Sequence, residues 1–278
     1  MNYFFQKRIT KSMPPSNKKF LHKVNTAYNH YQKFQKYNQL KTNNHKYYEF
    51  GAGWNLTIPL AISHLSFEVS CVDIKKLIIP ELVNDTLKKF QLNKNELPFS
   101  INKEIKLGDN NKIIKTLADD YQLDYFAPKD ARNTGFDENY FDFMSSSVTL
   151  EHIPKEDIRL ILKECYRILN KGGILSVTID YQDHWSYFDK TISIYNYLKY
   201  SDRAWKKYNP SLHYQNRLRH SDYLELISET DFSIVEEVRR QPTEADKNVL
   251  KSLKISEKYQ KYDFDDLAIR GCEIVLMK

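Results

Sequence analysis

Tyr48-Glu49-Phe50-Gly51-Ala52-Gly53-Trp54-Asn55 is the stretch on which the fold turns. It follows 47 residues without an acidic side chain and precedes an apolar helical stretch, Leu56–Leu65. Phe67–Ile74 then reads as a second strand, with Val and Cys suited to burial on both faces and Asp73 near its tip. Glycines in a turn after a strand let the backbone approach a ligand closely, because no Cβ intrudes. An acid at the tip of the next strand can accept hydrogen bonds from both hydroxyls of a ribose. Together these features predict an adenosine-type cofactor across the carboxyl ends of parallel strands.

Length and composition bound the rest. The 278 residues suffice for one large domain with additions. No apolar run approaches the length of a membrane span, and Met1–Arg8 lacks the charge order and apolar core of a secretory signal. Cys71, Cys165 and Cys272 are far apart in apolar contexts, the usage of a reduced, cytoplasmic compartment. Charge is uneven. Residues 1–48 carry nine lysines and Arg8, a formal +10, which leaves −4 for the remainder of a chain whose net charge is +6. We therefore expect a basic helical arm over 1–45, suited either to an anionic surface, including peripheral membrane contact, or to packing as a solvated helix. Within it Phe20, Val24, Ala27, Tyr28, Tyr31 and Phe34 are spaced for one helical face.

Strand and helix alternate from residue 46 onward. Pro80–Phe90 and Asn111–Ala118 read as helices; Leu123–Phe126, Phe141–Thr149, Ile174–Ile179, Phe232–Glu237 and Gly271–Met277 read as strands. Ile158, Ile161, Leu162, Cys165 and Ile168 form a helical stripe that Lys171-Gly172-Gly173 is expected to end. The fold class is α/β: a Rossmann-like, seven-stranded, mostly parallel sheet with helices on both faces, occupying 46–278. Residues 181–220, rich in aromatic and charged side chains but without strand alternation, are expected as an insertion above the sheet.

In this order the motifs resemble the class I S-adenosylmethionine-dependent methyltransferases, over roughly residues 46–180. Glu49-Phe50-Gly51-Ala52-Gly53 looks like that family's first motif, and Asp73 matches the acid that holds the ribose. Asp130-Ala131 resembles the acid beside the adenine amine. Phe141-Asp142-Phe143-Met144-Ser145-Ser146-Ser147-Val148-Thr149-Leu150-Glu151-His152-Ile153 resembles the fourth-strand motif, and Arg167–Gly173 the turn after it. The resemblance implies S-adenosyl-L-methionine as cofactor, held by Glu49, Gly51, Ala52, Gly53, Asp73, Asp130, Ala131 and Ser146. A dinucleotide site fits less well: its third glycine falls at Leu56.

Methyl transfer needs alignment of nucleophile, methyl and leaving sulfur, and a hydroxyl acceptor also needs a base. His152 lies just past the fourth strand and His184 just past the fifth, so both imidazoles are expected at one rim, with Asp180 or Asp183 orienting His184. The expected catalytic set is His184, His152 and Asp183, with His213 and His220 as substrate contacts or packed polar residues. Asp180, Asp183 and His184 also suit Mg²⁺ or Mn²⁺, but orienting one histidine explains the cluster equally well, and no metal is expected. Trp185, Tyr187 and Trp205 among hydrogen-bonding side chains suit a sugar, a base, or a packed lid. The leading expectation is O-methylation of a small polar acceptor, a sugar or glycan intermediate of polysaccharide biosynthesis. A nucleic-acid methyltransferase ranks second, since Ser145–Val148 lacks the Asn/Asp-Pro-Pro-aromatic pattern of base N-methylation. A catalytically silent binding module is the third reading.

Overall fold

The computed structural model describes residues 13–42 and 44–278. The first twelve residues, including Met1–Arg8 and the start of the expected basic arm, lie outside the described part. In chain order the helices and strands are α1 Asn17–Tyr37, β1 His45–Phe50, α2 Thr57–Ser63, β2 Phe67–Val72, α3 Pro80–Leu92, α4 Ile113–Tyr121, β3 Leu123–Phe126, β4 Phe141–Ser147, α5 Lys155–Ile168, β5 Leu169–Asp180, α6 Asp202–Trp205, α7 His220–Ser228, β6 Ser233–Arg240, α8 Glu244–Ser252, α9 Phe264–Ala268 and β7 Gly271–Met277.

Side chains alternate across a strand, and here both faces of the sheet are covered. Tyr47 packs on one face with Val69, Cys71, Phe143 and Ile174. Tyr48 packs on the other with Val72, Met144, Leu175 and Val177. The strands are therefore apolar along their length, as expected of a parallel sheet. The order is β3-β2-β1-β4-β5-β7-β6, with β1 to β5 parallel and β7 antiparallel to both its neighbours. Strand order reverses between β1 and β4. That reversal opens a crevice beyond their carboxyl ends, where this architecture binds ligands.

The side chains of α1 join the core of one face through Phe20, Val24, Ala27 and Phe34. Its buried His30 places Nδ1 2.7 Å from Ser176 Oγ and Nε2 2.9 Å from Ser147 Oγ, tying the helix to β5 and β4. Burial pushes this imidazole down to about 4, so it is neutral near pH 7. The boundary drawn at residue 45 thus does not divide two packing units: α1 belongs to the same core as the sheet. No helix among the described residues is long and apolar enough to cross a membrane.

On the other face the stripe of α5 is buried as its spacing predicts. Its end differs. The helix stops at Ile168 and Leu169 is already extended, so Lys171-Gly172-Gly173 lies inside β5 and does not cap α5. The glycines serve a register shift between β4 and β5. Gly172 has a φ of 82°, and a Cβ on Gly173 would sit 2.7 Å from the Asp142 carbonyl oxygen. A bulge with close backbone approach makes the same demand for Gly as a helix cap.

Residues 181–220 form short turns and α6, as expected of an insertion, but they do not pack alone. Tyr195, Tyr197, Leu198 and Trp205 share a small core with Leu250, Tyr259, Leu267 and Ala268 from the β6–β7 connection. Arg219, fully buried, ties the two segments together by donating to the carbonyls of Tyr181 at 3.0 Å, Leu267 at 2.9 Å and Ile269 at 2.7 Å.

Candidate functional site

A cleft of about 700 Å³ lies between α1 and the strand ends, bounded by Glu49, Gly51, Ala52, Ser147, Val148 and Arg240 among others. The turn after β1 forms one wall. Gly51 and Gly53 have φ of 78° and 75°. A Cβ on Gly51 would lie 2.5 Å from Thr149 Cγ2, whereas one on Gly53 would meet nothing within 4 Å. Gly51 is therefore required by the contact with the loop after β4, and Gly53 faces open space.

Asp73 follows β2 and is 3% exposed. Its Oδ2 accepts from the Gly53 N–H at 3.2 Å and the Tyr125 hydroxyl at 2.9 Å, which leaves Oδ1 with spare acceptor capacity. Ile74 beside it is 59% exposed, an apolar surface of the kind a flat base covers. Glu49 is 2% exposed and accepts from the Tyr47 hydroxyl at 2.7 Å. The Lys23 ammonium, nearby, donates to Asn55 Oδ1 at 3.2 Å. A glycine-bearing turn, an acid with open lone pairs and a buried carboxyl fit a nucleoside with a cationic aminoacyl tail.

The other expected cofactor residues are placed differently. Asp130 is held by the Arg132 guanidinium, whose hydrogen bonds keep its carboxyl below the usual carboxylate range. Ala131 is only partly buried and packs against the core of the second face. Ser146 is 1% exposed and donates to the Phe50 carbonyl at 3.3 Å, so it braces the end of β1 from beneath.

Burial pushes Asp73 up to about 7, with the Tyr125 and Gly53 hydrogen bonds opposing. Burial likewise pushes Glu49 up to about 8, opposed by Tyr47, raised further by Asp73 and lowered by Lys23. Both groups bind protons in the folded chain that the unfolded chain has already released. Their contribution to stability is therefore full at acid pH, declines as pH rises above the unfolded carboxyl values, and is lost once pH passes the folded ones. A ligand needing both carboxylates ionised meets the opposite trend. The ligand-free melting temperature is expected to fall between roughly pH 6 and pH 8, while affinity for S-adenosylhomocysteine rises over the same range. Calorimetry at the two pH values checks this; a pH-independent affinity would count against both assignments.

At the far end of the cleft Arg240 donates to Asp180 Oδ1 at 2.9 Å. Asp180 also accepts from Gln182 Nε2 at 3.0 Å and from the Tyr187 hydroxyl, and its Oδ2 lies 3.6 Å from His184 Nε2. Burial acts to raise Asp180, but contacts from His184, Tyr187, Gln182 and Arg240 outweigh it and hold the carboxyl down at about 2. The rings of His152 and His184 stand 4.9 Å apart, and His213 is 6.3 Å from the first and 5.9 Å from the second. The two imidazoles expected at one rim are indeed neighbours, and His213 joins them. His220 does not; it bridges Tyr181 at 3.0 Å and Glu237 at 2.9 Å.

Asp183 requires correction. It is fully buried, accepts from the Trp185 N–H at 2.9 Å and Asn196 Nδ2 at 3.1 Å, and so caps the short turn that carries His184. Asp180, not Asp183, faces the imidazole. The trio Asp180, Asp183 and His184 is therefore not one donor cluster. A different set comes together: Glu151, His152 and His184 each bring a ligand atom within 4.8 Å of the others. Glu151 lies within the fourth-strand motif but outside the expected site residues. Val148, also outside the expected set, has a φ of 45° although β-branched, an outlier of the kind that clusters at functional sites.

The insertion assembles this end. His152 Nδ1 lies 2.7 Å from the Tyr214 carbonyl, the Asn216 N–H donates to the Glu151 carbonyl at 2.9 Å, and Asn216 Nδ2 donates to the carbonyls of Leu150 and Ile153 at 2.8 Å each. Segment 213–217 is thereby laced to the turn after β4.

Residues 107–177 match a family model described as a methyltransferase domain. Among solved structures, a geranyl diphosphate C-methyltransferase from Streptomyces coelicolor A3(2) is 13% identical with a TM-score of 0.53, over 95% of this chain and 85% of that one. The PH0226 protein from Pyrococcus horikoshii OT3 is 13% identical with a TM-score of 0.51, over 100% and 99%. At that identity the likeness speaks for the fold. No curated protein sequence matches the chain.

Proposed function

We propose, from the premise that this chain is an S-adenosylmethionine-dependent methyltransferase of class I fold, that its acceptor is a hydroxyl of a small polar molecule, with a sugar or glycan intermediate as the substrate class. The observation that carries the proposal is the gathering of His152, His184 and His213 beyond β4 and β5, with Asp180 against His184. A hydroxyl must lose its proton as it attacks, and an imidazole backed by a carboxylate is built to take it.

When bound, the cofactor supplies an electrophilic methyl carbon on a sulfonium. The chain's own residues do the rest. The 51–53 turn lets the cofactor tail approach the backbone, Asp73 holds the ribose, Glu49 answers the ammonium, and His184 receives the acceptor's proton while Asp180 steadies the resulting imidazolium. Tyr187 and Phe188 are 46% and 52% exposed beside this cluster. Their aromatic faces suit the C–H faces of a sugar ring.

The test is a panel of nucleotide sugars set against tRNA, scored by release of S-adenosylhomocysteine. Turnover with one or more nucleotide sugars is expected. Release with tRNA alone would replace the sugar reading by the nucleic-acid one, and cofactor binding without any turnover would favour a silent binding module.

A further inference from the structure

We propose that Glu151, His152 and His184 bind one divalent first-row transition-metal ion beyond the carboxyl ends of β4 and β5, with the His213 ring beside them. Three observations meet there. The first is donor chemistry: two or three imidazoles with one carboxylate suit Zn²⁺ or a neighbouring divalent ion and leave a coordination position open. The ligand atoms of Glu151, His152 and His184 lie within 4.8 Å of one another. Bonds of about 2.1 Å place tetrahedral donors roughly 3.4 Å apart, so side-chain adjustment of an ångström or so closes the set.

The second is that donor atoms here lack close hydrogen-bond partners. Glu151 is 2% exposed and neither carboxyl oxygen has a side-chain hydrogen-bond partner; His213 Nε2 is buried and unpaired, and His184 Nε2 has only Asp180 Oδ2, at 3.6 Å, beyond hydrogen-bond length. Buried polar atoms are nearly always paired, and the Glu151 carboxyl, lying within 4.8 Å of ligand atoms of His152 and His184, lacks the partner a shared ion would supply. The third is orientation. His152 Nδ1 is 2.7 Å from the Tyr214 carbonyl, which suits an Nδ1–H donor and leaves Nε2 for the ion. That is the outer-shell bond metal-bound histidines make. Sequence spacing hides the site because its donors come from the turn after β4, the turn after β5 and the loop at 213.

Its role, but not its existence, rests on the acceptor reading above. An ion there takes over the part given to His184 as base: it lowers the pKa of a bound hydroxyl, the proton leaves to solvent, and the oxygen is poised for the methyl, with His184 acting as ligand.

The experiment uses the full-length protein stripped with a chelator and titrated with Co²⁺, followed by visible absorption, with Zn²⁺ as competitor. One equivalent with a ligand-field band displaced by Zn²⁺ is expected. Glu151→Gln and His184→Asn should weaken binding by at least about 100-fold, while the metal-free variants keep the wild-type melting temperature and S-adenosylhomocysteine affinity. No band in wild type, or a band unchanged in Glu151→Gln, overturns the site. Cofactor binding and turnover without a band would end this inference and leave the methyltransferase reading standing. A normal band with no hydroxyl methylated in any metal-loaded sample would do the reverse.

Discussion

Asp73→Ala is expected to lower affinity for S-adenosylhomocysteine by at least two orders of magnitude while the fold survives. Asp73 sits at the tip of β2 with Oδ2 fixed by the Gly53 N–H and the Tyr125 hydroxyl. The carboxylate is aimed before any ligand arrives, so binding need not order it. Two charge-assisted hydrogen bonds to a ribose are worth about 1.5–3 kcal/mol each. Their joint loss corresponds to roughly 10²–10⁴ in dissociation constant. Burial already strains the ionised form of this side chain, as its upward shift to about 7 records. Its removal should therefore cost the ligand-free protein little at neutral pH. Asp73→Asn keeps one acceptor oxygen and should recover part of the loss. Titration calorimetry on the three proteins decides the matter, and equal heats for wild type and Asp73→Ala would remove Asp73 from the cofactor site.

The cofactor end was legible because its requirements are local. A turn with positive φ demands glycine at 51 and 53, and an acid directly after a strand is visible wherever the strand is. The alternation of apolar strand and amphipathic helix from residue 46 onward is equally local, and it sufficed for the sheet. The acceptor end was only half legible. His152 and His184 could be placed at strand ends, but the state of Glu151 is a tertiary property: it is sealed by a segment that begins some sixty residues later, at His213. Asp183 and Asp180 offered the same chemistry at nearly the same place. Only the path of the chain shows that one caps a turn and the other faces the ring. Leu250, Tyr259 and Leu267, the other half of the insertion's core, are spread too thinly to signal burial by periodicity. Lys171-Gly172-Gly173 misled for a physical reason, since a bulge and a helix cap ask for the same residue.

His184→Ala should leave cofactor affinity within a factor of about two and reduce kcat by roughly 10²–10⁴, the range of a lost general base. The ring is 7% exposed, stacks on Tyr187 at 5.2 Å and stands 4.9 Å from His152. Its ring contacts are with Tyr187, His152 and His213, so the two functions should separate cleanly. KM for the acceptor should change less than kcat, because proton removal matters in the transition state and not in the bound ground state. Asp180→Asn tests the positioning role behind the ring. It preserves shape but removes the carboxylate charge beside the ring, and should cost less than the His184 change. The two variants also discriminate between a base and a metal ligand. If the imidazole takes the proton itself, chelator-treated wild type retains turnover; if it holds an ion, turnover disappears with chelation and returns with added metal, whereas His184→Ala stays inactive in both. Turnover of His184→Ala equal to wild type, under either condition, would exclude the ring from the chemistry and return the acceptor end of the cleft to a structural role.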